Sequence, residues 1–498
     1  MSRPECLLAD DDTSSVLVRA ADPVLSDLLR HLFSRYPSAE GVTLAQFGWR
    51  ATASELVLTL RALDLPHAGE VDLSVKHVVL GEPYLLRAAL SSEEHSFAVG
   101  VIHSHPQGAG TMPSWIDDDM DRYLASYFGD FALGRPYPSL IAARDDTGRL
   151  AMSGRVKWQG RWSSVTRVSL RGQPGVGPDY GPLLLPRGQE ERVARLASAF
   201  GREAAALLHH AVVGVVGASG TGSPALEVLA RSGVGRIIVV DPDLFEASNL
   251  ERIHGSEARD LSVPTFKVDL QRRHLLAINP ALQLVSIRGR LPQRDVLDAL
   301  VQADVVLGCT DSHCARVALS DLSQRYLVPV LDAGVSLEGR GGRVTGQVLQ
   351  LTRMLPGDCC VYCRGMVDPV RVTEELMTSE EQAQRLDAAK LATSRGESGA
   401  PYWRGMPQLN AVGYLTTATG ALAAGYAIGW LTGRFEPPFE ILQADLTQPE
   451  WAIADRPTLL TRPCECRNLY GVADQGVDYA LISPPEHWPE PEVTVAGQ

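Results

Sequence analysis

Apolar residues recur along this chain in two styles, on either side of a segment too rich in glycine and proline to keep any period. Before that segment, FAVGVIHSH (97–105) and PSLIAAR (138–144) are compact apolar runs with strand character, and Asp22–Tyr36 carries helical spacing. After it, strand-like VVGVVG (212–217), RIIVVD (236–241) and ADVVLGC (303–309) alternate with helical patterns such as SPALEVLARSG (223–233). Such alternation predicts βαβ units and a mostly parallel sheet, an α/β fold. The intervening residues, LRGQPGVGPDYGPLLLPRG, read as a linker. The expected organisation is a first domain over 1–168, a linker over 169–189, a second domain over 190–475 and an unstructured Pro- and Glu-rich tail over 476–498. No internal repeat is seen.

Composition narrows the class. The chain has 498 residues, 45% hydrophobic and 21% charged, as ordinary globular proteins have. A formal net charge of −13 disfavours a nucleic-acid backbone as partner. No charge falls between Gly405 and Gly433, yet the stretch is built from Ala, Gly and Thr, so a buried helix is expected in place of a membrane span. MSRPECLLADDD has no apolar core to serve as a secretory signal, and the protein is expected to be cytoplasmic. Of eight cysteines, five fall in two tight clusters, which in a reducing compartment points to metal.

The first candidate chemistry lies in GVIHSHPQGAGTMPSWIDDDMD (100–121). His103 and His105 alternate on a strand-like run and so face the same way. With Asp117 as an oxygen ligand they would leave a fourth position for water, the arrangement of a catalytic zinc. H-S-H-P followed by S-x-x-D resembles the JAB/JAMM (MPN-type) metallopeptidases, which cleave after the C-terminal glycine tail of ubiquitin-like proteins. The eight residues between His105 and Ser114 are one more than that family's commonest loop. The resemblance implies zinc on His103, His105 and Asp117, Ser114 steadying the tetrahedral intermediate, and Glu40, in YPSAEGVTLAQFGW, as general base. Glu55 and Glu70 are the neighbouring alternatives.

The second lies in VVGVVGASGTGS, where Gly217, Gly220 and Gly222 allow backbone amides to approach a phosphate at a helix N-terminus. Asp241 ends the next strand, placed to accept a ribose hydroxyl. These features alone fit a dinucleotide-binding domain equally well. DPDLFEASNLERI, Lys267 and GCTDSHCAR then resemble, in order, the ThiF family, the adenylating core of ubiquitin-activating enzymes. The resemblance implies a Rossmann-like domain using ATP and Mg²⁺. Asp241 would hold the ribose, Asn249, Arg252 and Lys267 the phosphates, and Asp311 the magnesium. Arg195, with Arg192 as fallback, would reach across a homodimer. Ser219 and Ile253 depart from the family pattern.

Cys360-x-x-Cys363 and Cys464-x-Cys466 supply four thiolates, enough for a structural zinc, with Cys359 as a possible substitute ligand. Between Cys363 and Cys464 the chain has no cysteine to take over an activated carboxylate as a thioester. Cys309 and Cys314 read as packing residues.

The leading expectation is a bifunctional enzyme of a ubiquitin-like pathway, a zinc (iso)peptidase joined to an adenylating domain, with a conjugating enzyme downstream. One alternative keeps both activities but activates a sulfur carrier, with a sulfurtransferase downstream. Another is a scaffold with one inactive centre.

Overall fold

The computed structural model describes residues 15–34, 40–52, 55–73, 78–144, 148, 150–174, 185–186, 188–403, 411–448, 451–454, 464–475 and 484–497. Cys6 lies outside them. They divide into two units, the first made of Met1–Leu184, Gln324–Leu327 and Glu465–Tyr479, the second of Leu185–Ser323, Val328–Cys464 and Ala480–Gln498.

The first unit's strands are β1 (Ser15–Ala20), β2 (Val42–Ala51), β3 (Glu55–Asp64), the short pair β4 (Val71–Leu73) and β5 (Val78–Leu80), β6 (Ala98–Ser104), β7 (Tyr137–Arg144), β8 (Leu150–Trp158), β9 (Arg161–Ser164), β10 (Arg167–Leu170) and β11 (Gln173–Pro174). Nine form a mixed sheet in the order β11-β10-β1-β3-β2-β6-β7-β8-β9. Helix α1 (Val24–Leu29) packs Leu25 and Leu28 on one face with Phe47, Ile102 and Leu140. Helices α2 (Glu82–His95) and α3 (Trp115–Phe131) cover the other with Leu85, Leu124 and Phe128, against Val99 and Val101. The two-residue period of β6 decides the site: Val99 and Val101 face α2 and α3, so His103 and His105 do too.

Two boundaries differ from expectation. Where the sequence suggests that the first domain ends near residue 168, β10 and β11 continue its sheet to Pro174, and the chain later returns two segments to this unit. Gly- and Pro-rich composition hid the pairing, because β11 is two residues long and needs only Ser169↔Pro174 and Leu170↔Gln173. The tail also differs, as shown below.

In the second unit, helices α4 (Ala194–Phe200) and α5 (Arg202–His210) precede the sheet. Then follow β12 (Val212–Val216), α6 (Gly222–Arg231), β13 (Arg236–Val240), α7 (Lys267–Ile278), β14 (Gln283–Arg288), α8 (Arg294–Leu300), β15 (Val305–Gly308), α9 (His313–Tyr326), β16 (Val330–Arg340) and β17 (Arg343–Met354). The remainder is α10 (Pro369–Leu376), α11 (Ser379–Ser394), α12 (Gly413–Leu431), β18 (Ile441–Asp445), β19 (Trp451–Ala454) and β20 (Glu492–Ala496). Sheet order is β19-β18-β17-β16-β15-β12-β13-β14-β20. Strands β12 to β16 run parallel, as helical crossovers require, and antiparallel strands extend both edges. Residues expected to be an unstructured tail therefore include a strand, β20, paired with β14 from Leu284↔Ala496 to Arg288↔Glu492. Its EVTVA pattern is five residues long and was masked by the prolines before it.

The charge-free stretch becomes α12, whose Ala423, Ala424, Ala427 and Leu431 are buried in the core with Leu226 and Leu229 of α6. No helix among the described residues is long and apolar enough to cross a membrane. Small residues serve contact: a β-carbon on Gly420 would stand 2.1 Å from the Thr221 carbonyl oxygen just before α6. Gly420→Ala is expected to lower stability by about 1–3 kcal/mol through overpacking. Thermal unfolding of the variant against wild type measures it.

Candidate functional site

In the first unit, His103, His105 and Asp117 bring one ligand atom each within 4.8 Å of one another. The two Nε2 atoms are 3.3 Å apart, and Asp117 places Oδ1 3.2 Å from His103 Nε2 and Oδ2 3.7 Å from His105 Nε2. Nitrogens bound to zinc at ordinary lengths would be about 3.3 Å apart in a tetrahedron. His105 Nδ1 lies 3.0 Å from the Gly110 carbonyl oxygen and donates its proton there, which leaves the Nε2 lone pair facing the cluster. The donor set therefore fits a zinc ion.

Asp117 owes its position to the start of α3. Ser114 is the N-cap: its hydroxyl accepts from Asp117 N at 3.3 Å, and Asp117 Oδ2 accepts from Ser114 N at 2.6 Å. Burial would raise the Asp117 pKa, but His103 and His105 hold the carboxyl far below its usual range. Burial would lower that of His105, but Asp117, with a contribution from the Glu40 charge, raises it. Glu40 is exposed just before β2, and Gly41 beside it exchanges hydrogen bonds with Ser104 in β6. Ser114 is exposed, its hydroxyl proton free to donate away from the cap. Glu70 instead pairs with Arg87 at 2.6 Å. The sequence did not single out the ion-pair group below the cluster, where Arg155 meets Asp118 at 2.5 Å and Asp121 at 2.6 Å.

In the second unit a cleft of about 640 Å³ opens at the carboxyl ends of the parallel strands, where ligands bind in such sheets. It gathers Gly217, Gly220, Asp241, Arg252, Lys267 and Asp311. Gly217, after β12, has φ +100°, and a β-carbon there would meet the Cys309 carbonyl oxygen at 2.3 Å. Gly222 begins α6, whose N-terminus can receive an anion.

Asp241 accepts from Ala218 N at 2.7 Å and Asp243 N at 2.9 Å; its burial pushes the pKa up, against the charge of Lys267. Lys267 opens α7 and reaches Asp243 Oδ2 at 2.8 Å. Asn249 does not join the cleft lining: it is buried, and its Oδ1 accepts from Glu246 N at 3.1 Å, capping a short turn. Arg195 is exposed on α4, outside the cleft of its own chain, and Arg192 is held by Asn279.

Two residues of the cleft went unassigned in the sequence. Arg316, a cleft residue inside the GCTDSHCAR motif, reaches Asp332 Oδ2 at 3.2 Å and donates to the Thr310 carbonyl at 3.1 Å. Glu375 accepts from Ser312 Oγ at 2.6 Å, His313 N at 2.8 Å and Cys314 N at 2.9 Å, and so holds the loop that carries Asp311. Glu375 meets that loop only through the packing of a distant segment, and no local motif carries it.

The sulfur atoms of Cys360, Cys363, Cys464 and Cys466 lie within 4.8 Å of one another, with Cys360 3.6 Å from Cys363 and 3.9 Å from Cys464. Four thiolates on zinc would stand about 3.8 Å apart. Cys359 is not part of the group. Cys309 and Cys314 are buried, and burial pushes both thiols well up.

Residues 192–467 match the ThiF family. The chain belongs to that family. It is 32% identical over 223 residues to the adenylyltransferase and sulfurtransferase uba4 of Emericella nidulans, covering 40% of this chain and 43% of the relative. It is 35% identical over 130 residues to the sulfur carrier protein ThiS adenylyltransferase of Escherichia coli K12, covering 26% of this chain and 50% of the relative. The chain thus spans half or less of these curated relatives' length. A crystal structure of E. coli MccB with ATP is similar at 18% identity and TM-score 0.40, over 55% of this chain and 73% of the other.

Proposed function

We propose that the ThiF domain adenylates the C-terminal carboxylate of a sulfur-carrier or ubiquitin-like protein. The observation that carries this is the convergence of the glycine turn, Asp241, Arg252, Lys267 and Asp311 on one cleft. The names of the relatives favour a sulfur carrier, so that reading now leads over conjugation, with a sulfurtransferase as the downstream partner.

In the proposed step a carboxylate oxygen of the carrier attacks the α-phosphorus of ATP. A new P–O bond forms, the bond to the β-phosphate oxygen breaks, and pyrophosphate leaves with the electron pair. Asp241 holds the ribose. Arg252 and Lys267 offset the charge that grows on the phosphates, where fixed cations count most. Asp311 is the side chain that would hold Mg²⁺, whose chemistry is charge neutralisation. Arg195, exposed on α4, would serve the cleft of a second copy in a homodimer.

The His103–His105–Asp117 cluster supports a second activity in the same chain, a zinc metallopeptidase of JAB/JAMM type that exposes the carboxylate to be activated. Zinc would supply Lewis acidity and an activated water. Glu40 would take the proton and the Ser114 hydroxyl would donate to the oxyanion.

ATP–pyrophosphate exchange with carrier proteins ending in glycine tests the leading reading. Exchange is expected only when the carrier is present, and Arg252→Ala should lower it on the order of 10²-fold. No exchange with any carrier sinks adenylation and favours the scaffold.

A further inference from the structure

The cleft has one wall that the matched family span does not contain. Trp488, beyond residue 467, lines it beside Arg290 and Leu291, which follow β14. The segment is fastened: β20 pairs with β14, Gln293 Nε2 donates to the Pro489 carbonyl at 2.7 Å, Arg288 pairs with Glu492, and the Arg290 guanidinium lies 5.0 Å from the Trp488 ring centre.

Strand order assigns this wall a role. β15, β12, β13 and β14 are consecutive neighbours, with β20 beyond, each roughly 4.8 Å from the next. The carboxyl ends of β15, β12, β13 and β14 present, in turn, Asp311, the glycine turn from Gly217, Asp241 and Leu291, and the antiparallel β20 brings its amino end, with Trp488 before it, to the same side. That series matches the order of a nucleotide's own parts: cation, phosphates, ribose, base. The first three carry charge or bare amides. The last is an indole, a flat apolar surface suited to a purine.

We propose that Trp488 is the wall on which the adenine base of the bound nucleotide packs, so that residues 484–497 belong to the nucleotide site. This rests on the proposed use of ATP at the cleft. Calorimetric titration of the full chain with Mg²⁺ and either ATP or inorganic tripolyphosphate, which lacks a base, separates the two ideas. Trp488→Ala is expected to weaken ATP on the order of ten- to a hundredfold and leave tripolyphosphate binding unchanged, with Trp488→Phe recovering most of the loss. Arg252→Ala should weaken both ligands. Wild-type ATP affinity in Trp488→Ala overturns the inference alone, and so does an equal loss of ATP and tripolyphosphate. No ATP binding by wild type overturns both this inference and the adenylation reading.

Discussion

On the proposed metallopeptidase reading, His103→Ala is expected to abolish cleavage of a carrier protein fused through its C-terminal glycine, lowering the rate on the order of 10³-fold or more, and to lower by one the zinc content of a chain whose two clusters would each hold an ion. The size follows from the geometry. His103, on β6, is buried, and with His105 and Asp117 it makes a set of three ligand atoms. Losing one leaves two protein ligands where a catalytic zinc takes three, so the ion and the Lewis acid go together. Glu40→Gln should behave differently, losing cleavage while keeping the zinc, because Glu40 is outside the ligand set. Elemental analysis beside the cleavage assay tells the two apart. Full cleavage by zinc-free His103→Ala would end the metallopeptidase reading; full cleavage by Glu40→Gln would only move the base elsewhere.

Cys360→Ser is expected to remove the other zinc and to destabilise the ThiF domain by on the order of 5 kcal/mol, lowering Tm by roughly 10–20 °C. A zinc ion on this cluster would draw together thiolates separated by about a hundred residues of chain, closing a long loop whose ordering is otherwise unfavourable. Zinc binding to such a set is also folding free energy, since the unfolded chain has no preformed site. A strong chelator under reducing conditions should reproduce the shift in wild type, and Cys359→Ser, outside the cluster, should not. An unchanged Tm with zinc lost would show that the cluster is not structural. The two substitutions should leave complementary single zinc ions, which makes the assignment testable from metal content alone.

What could be read from the sequence was local. His103, His105, Ser114 and Asp117 are joined by a strand's two-residue period and a helix cap, both written within fifteen consecutive residues. The glycine turn and Asp241 follow one βαβ unit and were equally plain. Asn249 shows the limit: its place in an ordered motif suggested a phosphate contact, while its amide caps the turn at Glu246. Glu375 and Trp488 were beyond reach because each meets the cleft only through packing of distant segments. The strand EVTVA was hidden by length, since five alternating residues after a proline-rich run do not declare a partner.

Cys309 lines the cleft, and burial pushes its thiol pKa well up, as it does that of Cys314. On the proposed chemistry, neither is suited to receive the activated acyl group. A mixed anhydride that neither takes up would wait for another nucleophile. Throughput would then be set by a race between that transfer and hydrolysis, so the shelter that the cleft gives its product would matter as much as the speed at which it makes it.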